Sequence, residues 1–223
     1  MIIGASPNSC LAVDADGNIY GETGIGVPGQ YVPVTVYKVN ATTHAFTTIA
    51  TFDGTNGILG PGGCLIIDKN DNLYGTSNGQ VFQIAAGTHA VSMLASFNGT
   101  DGTTPGNLVL DARGNLFGTT SDGGPNGGGT VFEISSGSHA ITTLTTFSGS
   151  NVSPGGLILD AHGNIYGETY MGGTGGDGTV FELSLVPEPD GLVLAAIGVS
   201  VLLAAAYRRN CITVRPHRSW RGG

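Results

Sequence analysis

The chain has 223 residues and a net charge of −8, room for one domain of roughly 100 to 200 residues with an appendage. Charged residues make up only 11%, while 39 glycines and 24 threonines favour short strands and tight turns. That composition excludes a helical bundle. All 16 acids but only three bases (Lys38, Lys69, Arg113) lie within residues 1–190, a net of −13, so this part is not an electrostatic binder of nucleic acid.

In chain order, one unit recurs four times. Its signature is Asp14-Ala-Asp-Gly-Asn18-Ile-Tyr20-Gly, then Asp68 to Gly75, Asp111 to Gly118 and Asp160 to Gly167. The asparagines (Asn18, Asn72, Asn115, Asn164) are 54, 43 and 49 residues apart. An apolar run precedes each signature (Cys10 to Val13, Cys64 to Ile67, Leu108 to Leu110, Leu157 to Leu159), and a strand-like stretch ends it. A third element follows at Val36-Tyr37, Val81-Phe82, Val131-Phe132 and Val180-Phe181. A fourth, rich in Thr and Ser, closes at Phe52, Phe97 and Phe147. Four short strands per unit, here A to D, with no room for crossover helices, predict antiparallel meanders of the size of a β-propeller blade.

The fold expected is therefore all-β, a propeller-like array of about four units over residues 1–185. The fourth unit, 156–183, lacks a fourth strand. Met1 to Ala5 could supply it and close the ring, or the chain could belong to a larger ring. From signature Asp to Asn is four residues in every copy, and from the strand C Val to the strand D Phe is 16 in three. The stretch from Asn to the next strand C Val instead runs 18, 9, 16 and 16 residues. Length variation thus gathers on the face carrying the B–C and D–A loops, where loops on a rigid scaffold can serve a ligand.

Several residues invite chemical readings. Asp14, Asp16 and Asn18 resemble the opening of a calcium loop, but the later Glu and the flanking helices are missing, so a tight A–B hairpin is expected. His44, His89 and His139 recur one per unit at C–D turns and cannot converge on a metal. No metal or cofactor is expected. Gly24-Ile-Gly26-Val-Pro-Gly29 fits a dinucleotide fingerprint in letters only, since a strand follows where a helix is needed. Glu22 and Glu168 end strand B where the other units have Thr76 and Thr119. With Asp122, Tyr170 and Asp177 they form the candidate ligand face, and their carboxylates could serve acid–base chemistry or sugar binding. Cys10 and Cys64 hold equivalent strand A positions and are expected to be buried, unbridged hydrophobes.

After the fourth unit come Val186-Pro187-Glu188-Pro189-Asp190, an uncharged run from Gly191 to Tyr207, and Arg208-Arg209. Seventeen residues at 1.5 Å each make a helix of about 25 Å, the short end of a membrane span. Five arginines after it place residues 210–223 in the cytoplasm and the acidic repeats outside. Residues 186–209, from Val186, Pro187, Glu188 and Pro189 through the apolar helix to Arg208 and Arg209, resemble the PEP-CTERM sorting signal of Gram-negative bacteria. That resemblance implies an exosortase-type membrane protease as partner, sorting to the cell surface, and an association with exopolysaccharide or biofilm. The repeats are similar to the GloVer (Gloeo_Verruco) tandem repeat, most clearly in Gly114-Asn-Leu-Phe-Gly-Thr-Thr120 and Gly129-Thr-Val-Phe-Glu133, which names no activity.

The function expected is a non-catalytic binding or matrix-scaffolding module, with a hydrolase or lyase acting on polysaccharide through the loop-face acids as the alternative. Export of the repeats requires a signal with a basic start and an apolar core. Residues 1–7 carry neither, so upstream coding sequence is expected to supply one, with further units a possibility. Genomic DNA upstream of the Met1 codon checks this, and an in-frame stop with no apolar segment before Met1 contradicts it.

Overall fold

The computed structural model describes residues 10–23, 33–54, 57–58, 60–149, 152–173, 175–185 and 212–214. Four antiparallel sheets, one per repeat as expected, lie in chain order, each of four strands. Sheet 1 holds β1 (Ala12–Val13), β2 (Ile19–Thr23), β3 (Val34–Val39) and β4 (Phe46–Phe52). Sheet 2 holds β5 (Ile66–Ile67), β6 (Leu73–Ser77), β7 (Gln80–Ile84) and β8 (Val91–Ser96). Sheet 3 is β9 (Pro105–Leu110), β10 (Leu116–Thr120), β11 (Gly127–Ile134) and β12 (Ile141–Ser148). Sheet 4 is β13 (Pro154–Leu159), β14 (Ile165–Thr169), β15 (Thr179–Leu185) and β16 (Ile212–Val214).

Sheet 4 corrects the expectation that the last unit lacks a fourth strand. Leu183, Ser184 and Leu185 pair with Val214, Thr213 and Ile212. An open β15 edge would leave a row of backbone groups unpaired, and the β-branched Ile-Thr-Val run suits that place. No helix occurs among the described residues, and none there is long and apolar enough to cross a membrane. Met1 to Ala5, the Val186 to Pro189 motif, the 191–207 segment, Arg208 and Arg209 lie outside the described residues.

The signature residues build the A–B hairpins as expected. Asp111 Oδ1 accepts the backbone N–H groups of Arg113 and Asn115, and its Oδ2 accepts Asn115 Nδ2 at 2.9 Å. Asp14, Asp68 and Asp160 repeat this pattern. Left-handed backbone falls on Gly17, Asp71, Gly114 and Gly163, which is why that position is Gly or Asp. The Asn reaches further than the hairpin: Asn18, Asn72 and Asn115 accept the N–H of Ala41, Ala86 and Ser136 in the C–D turn of the same sheet. His44, His89 and His139 take φ of 56°, 56° and 55° in those turns, so their shared role is conformational. Strand D of sheets 1 to 3 carries one extra residue, Ile49, Leu94 or Leu144, where the register with strand C slips.

The Val-Phe pair of strand C places one side chain on each face of a sheet, so we distinguish a Val face and a Phe face (Val36 and Tyr37 in sheet 1). On the Phe face, the Tyr-Gly or Phe-Gly step of strand B lies under the strand C ring. A Cβ on Gly118 would stand 2.6 Å from Phe132 Cζ and 3.1 Å from Leu108 Cδ2. The same contact recurs at Gly21, Gly75 and Gly167.

Packing is between sheets. The Val face of sheet 1 (Ala12, Tyr20, Val36) meets the Phe face of sheet 2 (Leu65, Leu73, Phe82, Ile84). The Val face of sheet 2 (Ile66, Val81) meets Leu108, Leu116, Phe132 and Ile134, and that of sheet 3 (Phe117, Val131) meets Leu157, Ile165, Phe181 and Leu183. At each junction the last aromatic of strand D packs on the next strand C ring: Phe52 on Phe82, Phe97 on Phe132 and Phe147 on Phe181, at 5.1, 4.7 and 5.2 Å.

A disulfide joins Cys10 to Cys64, with Cα atoms 5.0 Å apart, correcting the expectation of two unbridged hydrophobes. Strand A is the strand at which neighbouring sheets converge. One junction on, Asn107 holds the same position in sheet 3, and the same closeness lets it accept the Cys64 N–H at 3.0 Å.

Gly118→Ala is expected to lower unfolding free energy by about 2 kcal/mol through overpacking against Phe132. Gly137→Ala, whose Cβ meets nothing within 4 Å, is expected to stay within about 0.5 kcal/mol of the parent. Urea denaturation of the two variants checks the pair.

Candidate functional site

The four acids and one tyrosine of the candidate ligand face are spread over three sheets, with Glu168, Tyr170 and Asp177 on sheet 4. Glu22 is in β2, Asp122 in the loop after β10, Glu168 in β14, and Tyr170 and Asp177 in the loop before β15. Among the described residues no hydrogen bond or ion pair joins any two of them. Asp122 accepts Ser121 Oγ at 3.0 Å and is exposed, as is Asp177; Tyr170 is 78% exposed.

Glu22 and Glu168 occupy the same repeat position and have opposite surroundings. Both point to the Val face of their sheets. The Val face of sheet 1 is covered by sheet 2, so Glu22 is 3% exposed, and its Oε1 has no hydrogen-bond partner. Burial pushes its carboxyl up from the ordinary 4.5 to about 7. Glu168 lies on sheet 4, whose Val face carries Ile158 at 67% and Val180 at 55% exposure, and its carboxyl is in solvent. Thr119, again at this position, is covered and donates to Gly155 O of the next sheet at 2.7 Å. A threonine hydroxyl finds a partner in that seam, whereas the longer Glu22 carboxyl stays there without one.

A concave surface lies on the opposite side. A cleft of 360 Å³ opens between sheets 2 and 3 on the face built from A–B hairpins and C–D turns. Its floor includes Leu94, Leu110 and Leu116, and its rim carries Lys69, Arg113 and His139. Within it, Gln83 Nε2 donates to Tyr74 Oη at 3.2 Å, and Tyr74 donates to Asp68 Oδ2 at 3.0 Å. Burial, then that bond to Asp68, pushes the Tyr74 phenol up to about 12, so it stays a donor. Burial raises the Asp68 carboxyl, but hydrogen bonds from Asn72, Asn70 and Tyr74 outweigh it and hold Asp68 below its ordinary value. The cleft therefore offers the Gln83 amide, the Asp68 and Asp111 carboxylates and two of the three basic residues found before position 191. Hairpin residues were read in the sequence as turn chemistry alone. The signal that marks them is Lys69 and Arg113 at the tips of adjacent hairpins in a body with one other base. Among the described residues, no three His, Cys, Asp or Glu side chains gather as a metal site.

The Gloeobacter/Verrucomicrobia repeat family matches residues 6–189. No curated protein matches the chain. Among solved structures, the tricorn protease is similar at a TM-score of 0.53 and 11% identity, over 92% of this chain and 21% of its own. A protein from Lactobacillus plantarum is similar at 0.51 and 13%, over 89% of this chain and 57% of its own. The extracellular domain of a hybrid two-component system from B. thetaiotaomicron gives 0.50 and 15%, over 76% of this chain and 20% of its own. These likenesses concern the fold, and the chain spans between a fifth and just over half of each structure.

The Glu22 environment sets a pH dependence. Its native carboxyl keeps a proton that the unfolded chain releases, so the contribution of Glu22 to stability is most favourable below pH 4.5, falls between 4.5 and about 7, and is flat above. Relative to Glu22→Gln, the parent is expected to lose about 3 kcal/mol across that window. Urea unfolding of both proteins at pH 4.5, 6 and 8 measures the difference.

Proposed function

The chain belongs to the Gloeobacter/Verrucomicrobia repeat family, and from that premise we propose that it is an exported repeat module that binds or scaffolds extracellular polysaccharide without catalysis. The observation that carries the reading is the cleft between sheets 2 and 3. Its apolar floor, the Gln83 amide held by Tyr74, and the mixed charges of Asp68, Asp111, Lys69 and Arg113 suit a hydroxyl-rich polymer better than a small apolar ligand. The Cys10–Cys64 disulfide supports an oxidising compartment.

Sorting follows the same reading. Val186 to Pro189, the 191–207 segment and Arg208-Arg209 serve as an exosortase-type signal, with the repeats on the outer side of a Gram-negative envelope, anchored by the apolar helix before processing. A tail that crosses the membrane cannot pair with β15, so the anchored form and the four-stranded sheet 4 are alternative states of one chain. Closure of the sheets into a propeller ring belongs to the same proposal.

One observation favours an enzyme instead: the Glu22 carboxyl titrates near neutrality, as a general acid requires. Against it, Glu22 is sealed in the seam between sheets 1 and 2, and Glu168 lies in solvent on sheet 4.

A glycan array and a turnover assay on the purified chain separate the two readings. Binding to polysaccharide without turnover is expected. Arg113→Ala is expected to weaken binding roughly tenfold, about 1.4 kcal/mol, while Asp122→Ala and Tyr170→Ala leave it unchanged. Turnover that disappears in Glu22→Gln or Glu168→Gln overturns the non-catalytic reading.

A further inference from the structure

Three junctions in this molecule are built alike, Val face on Phe face, and one surface of each kind is left over. On sheet 1 the Phe face is open: Leu11 is 61% and Val13 56% exposed, whereas Leu65 and Leu108 at the Leu11 position are 3% and 2%. Tyr37 and Phe46 stack on each other there at 4.7 Å, because no preceding strand D brings a ring to Tyr37. On sheet 4 the Val face is open. Ile158 and Val180 are 67% and 55% exposed, whereas Val36, Val81 and Val131 at the Val180 position are all fully buried. Exposed apolar faces of this kind mark an interaction surface.

We infer that the Val face of sheet 4 packs on the Phe face of sheet 1 of a second copy, and the reverse, closing two chains into an eight-sheet ring. The repeats identify the occupant. Each open face is the partner, position for position, of the other, and the three internal junctions show how the two fit. Two copies satisfy both faces by one two-fold axis. Eight sheets lie within the four to eight of known propellers, and three copies would exceed it. One copy closing on itself would bury Leu11 and Ile158 against each other, and both stand in solvent.

The first test is the mass of the full chain, in detergent, by sedimentation at roughly 20 μM, a concentration at which mass action favours a micromolar dimer. Two chains of 22.5 kDa each are expected, and Ile158→Arg is expected to sediment as a single chain. A parent of one chain's mass, or an Ile158→Arg variant that stays dimeric, overturns the inference. A covalent readout does not depend on that variant folding. Cys10 and Cys64 are bridged at neighbouring strand A positions, and Gly156 holds the equivalent position in sheet 4. In a chain carrying Cys64→Ser, Cys211→Ser and Gly156→Cys, the new thiol is expected to join Cys10 of the other copy and give a dimer on a non-reducing gel. A bridge within one chain overturns the inference in favour of a four-sheet ring. Two free thiols overturn it in favour of another occupant, such as further repeats.

Discussion

A four-stranded sheet with apolar side chains on both faces cannot stand alone in water, and every other feature here follows from that constraint. Burial of side chains such as Phe82, Phe132 and Phe181 is worth roughly 2 to 3 kcal/mol each, and it is completed only by the neighbouring sheet. A sheet has almost no interior of its own. Stability is then a chain of nearest-neighbour terms, as in other repeat proteins. The strand C Val-Phe step carries this design: one residue faces back, the other forward, and Gly118 or its equivalents clear the space in which the forward ring lies flat.

The same logic separates scaffold from site. A–B hairpins and C–D turns are tied to each other by the Asp–Asn network within sheets 1 to 3. Sheets 2 and 3 diverge there enough to leave the cleft with Lys69 and Arg113 on its rim. On the other side the loops differ in length and their acids stand apart. Glu22 owes its raised pKa to the neighbour that covers it, and Glu168, at the same position, lacks such a neighbour.

Local chemistry was legible in the sequence, and contacts between units were not. The hairpins could be read because Asp111 and Asn115 are four residues apart and bond each other. Sheet number and strand order followed from four copies with short links. The Cys10–Cys64 bridge was missed because the 54 residues between them say nothing of how closely the A strands converge. β16 was missed because its partner, β15, lies beyond the uncharged segment, and a three-residue strand leaves no periodic signal. The contrast between Glu22 and Glu168 was invisible for a related reason: identical residues at identical repeat positions differ only in what lies across the seam.

Hydrogen exchange on a Phe132→Ala chain tests the nearest-neighbour account most directly. Phe132 belongs to sheet 3, but it packs against Val81 and Phe97 of the preceding unit. The account expects amides of β6, β7, β10 and β11 to lose protection together, while β2 and β3 in sheet 1 keep theirs. Loss confined to β9–β12, with sheet 2 unchanged, would contradict it and mean that each sheet is stable without its neighbour.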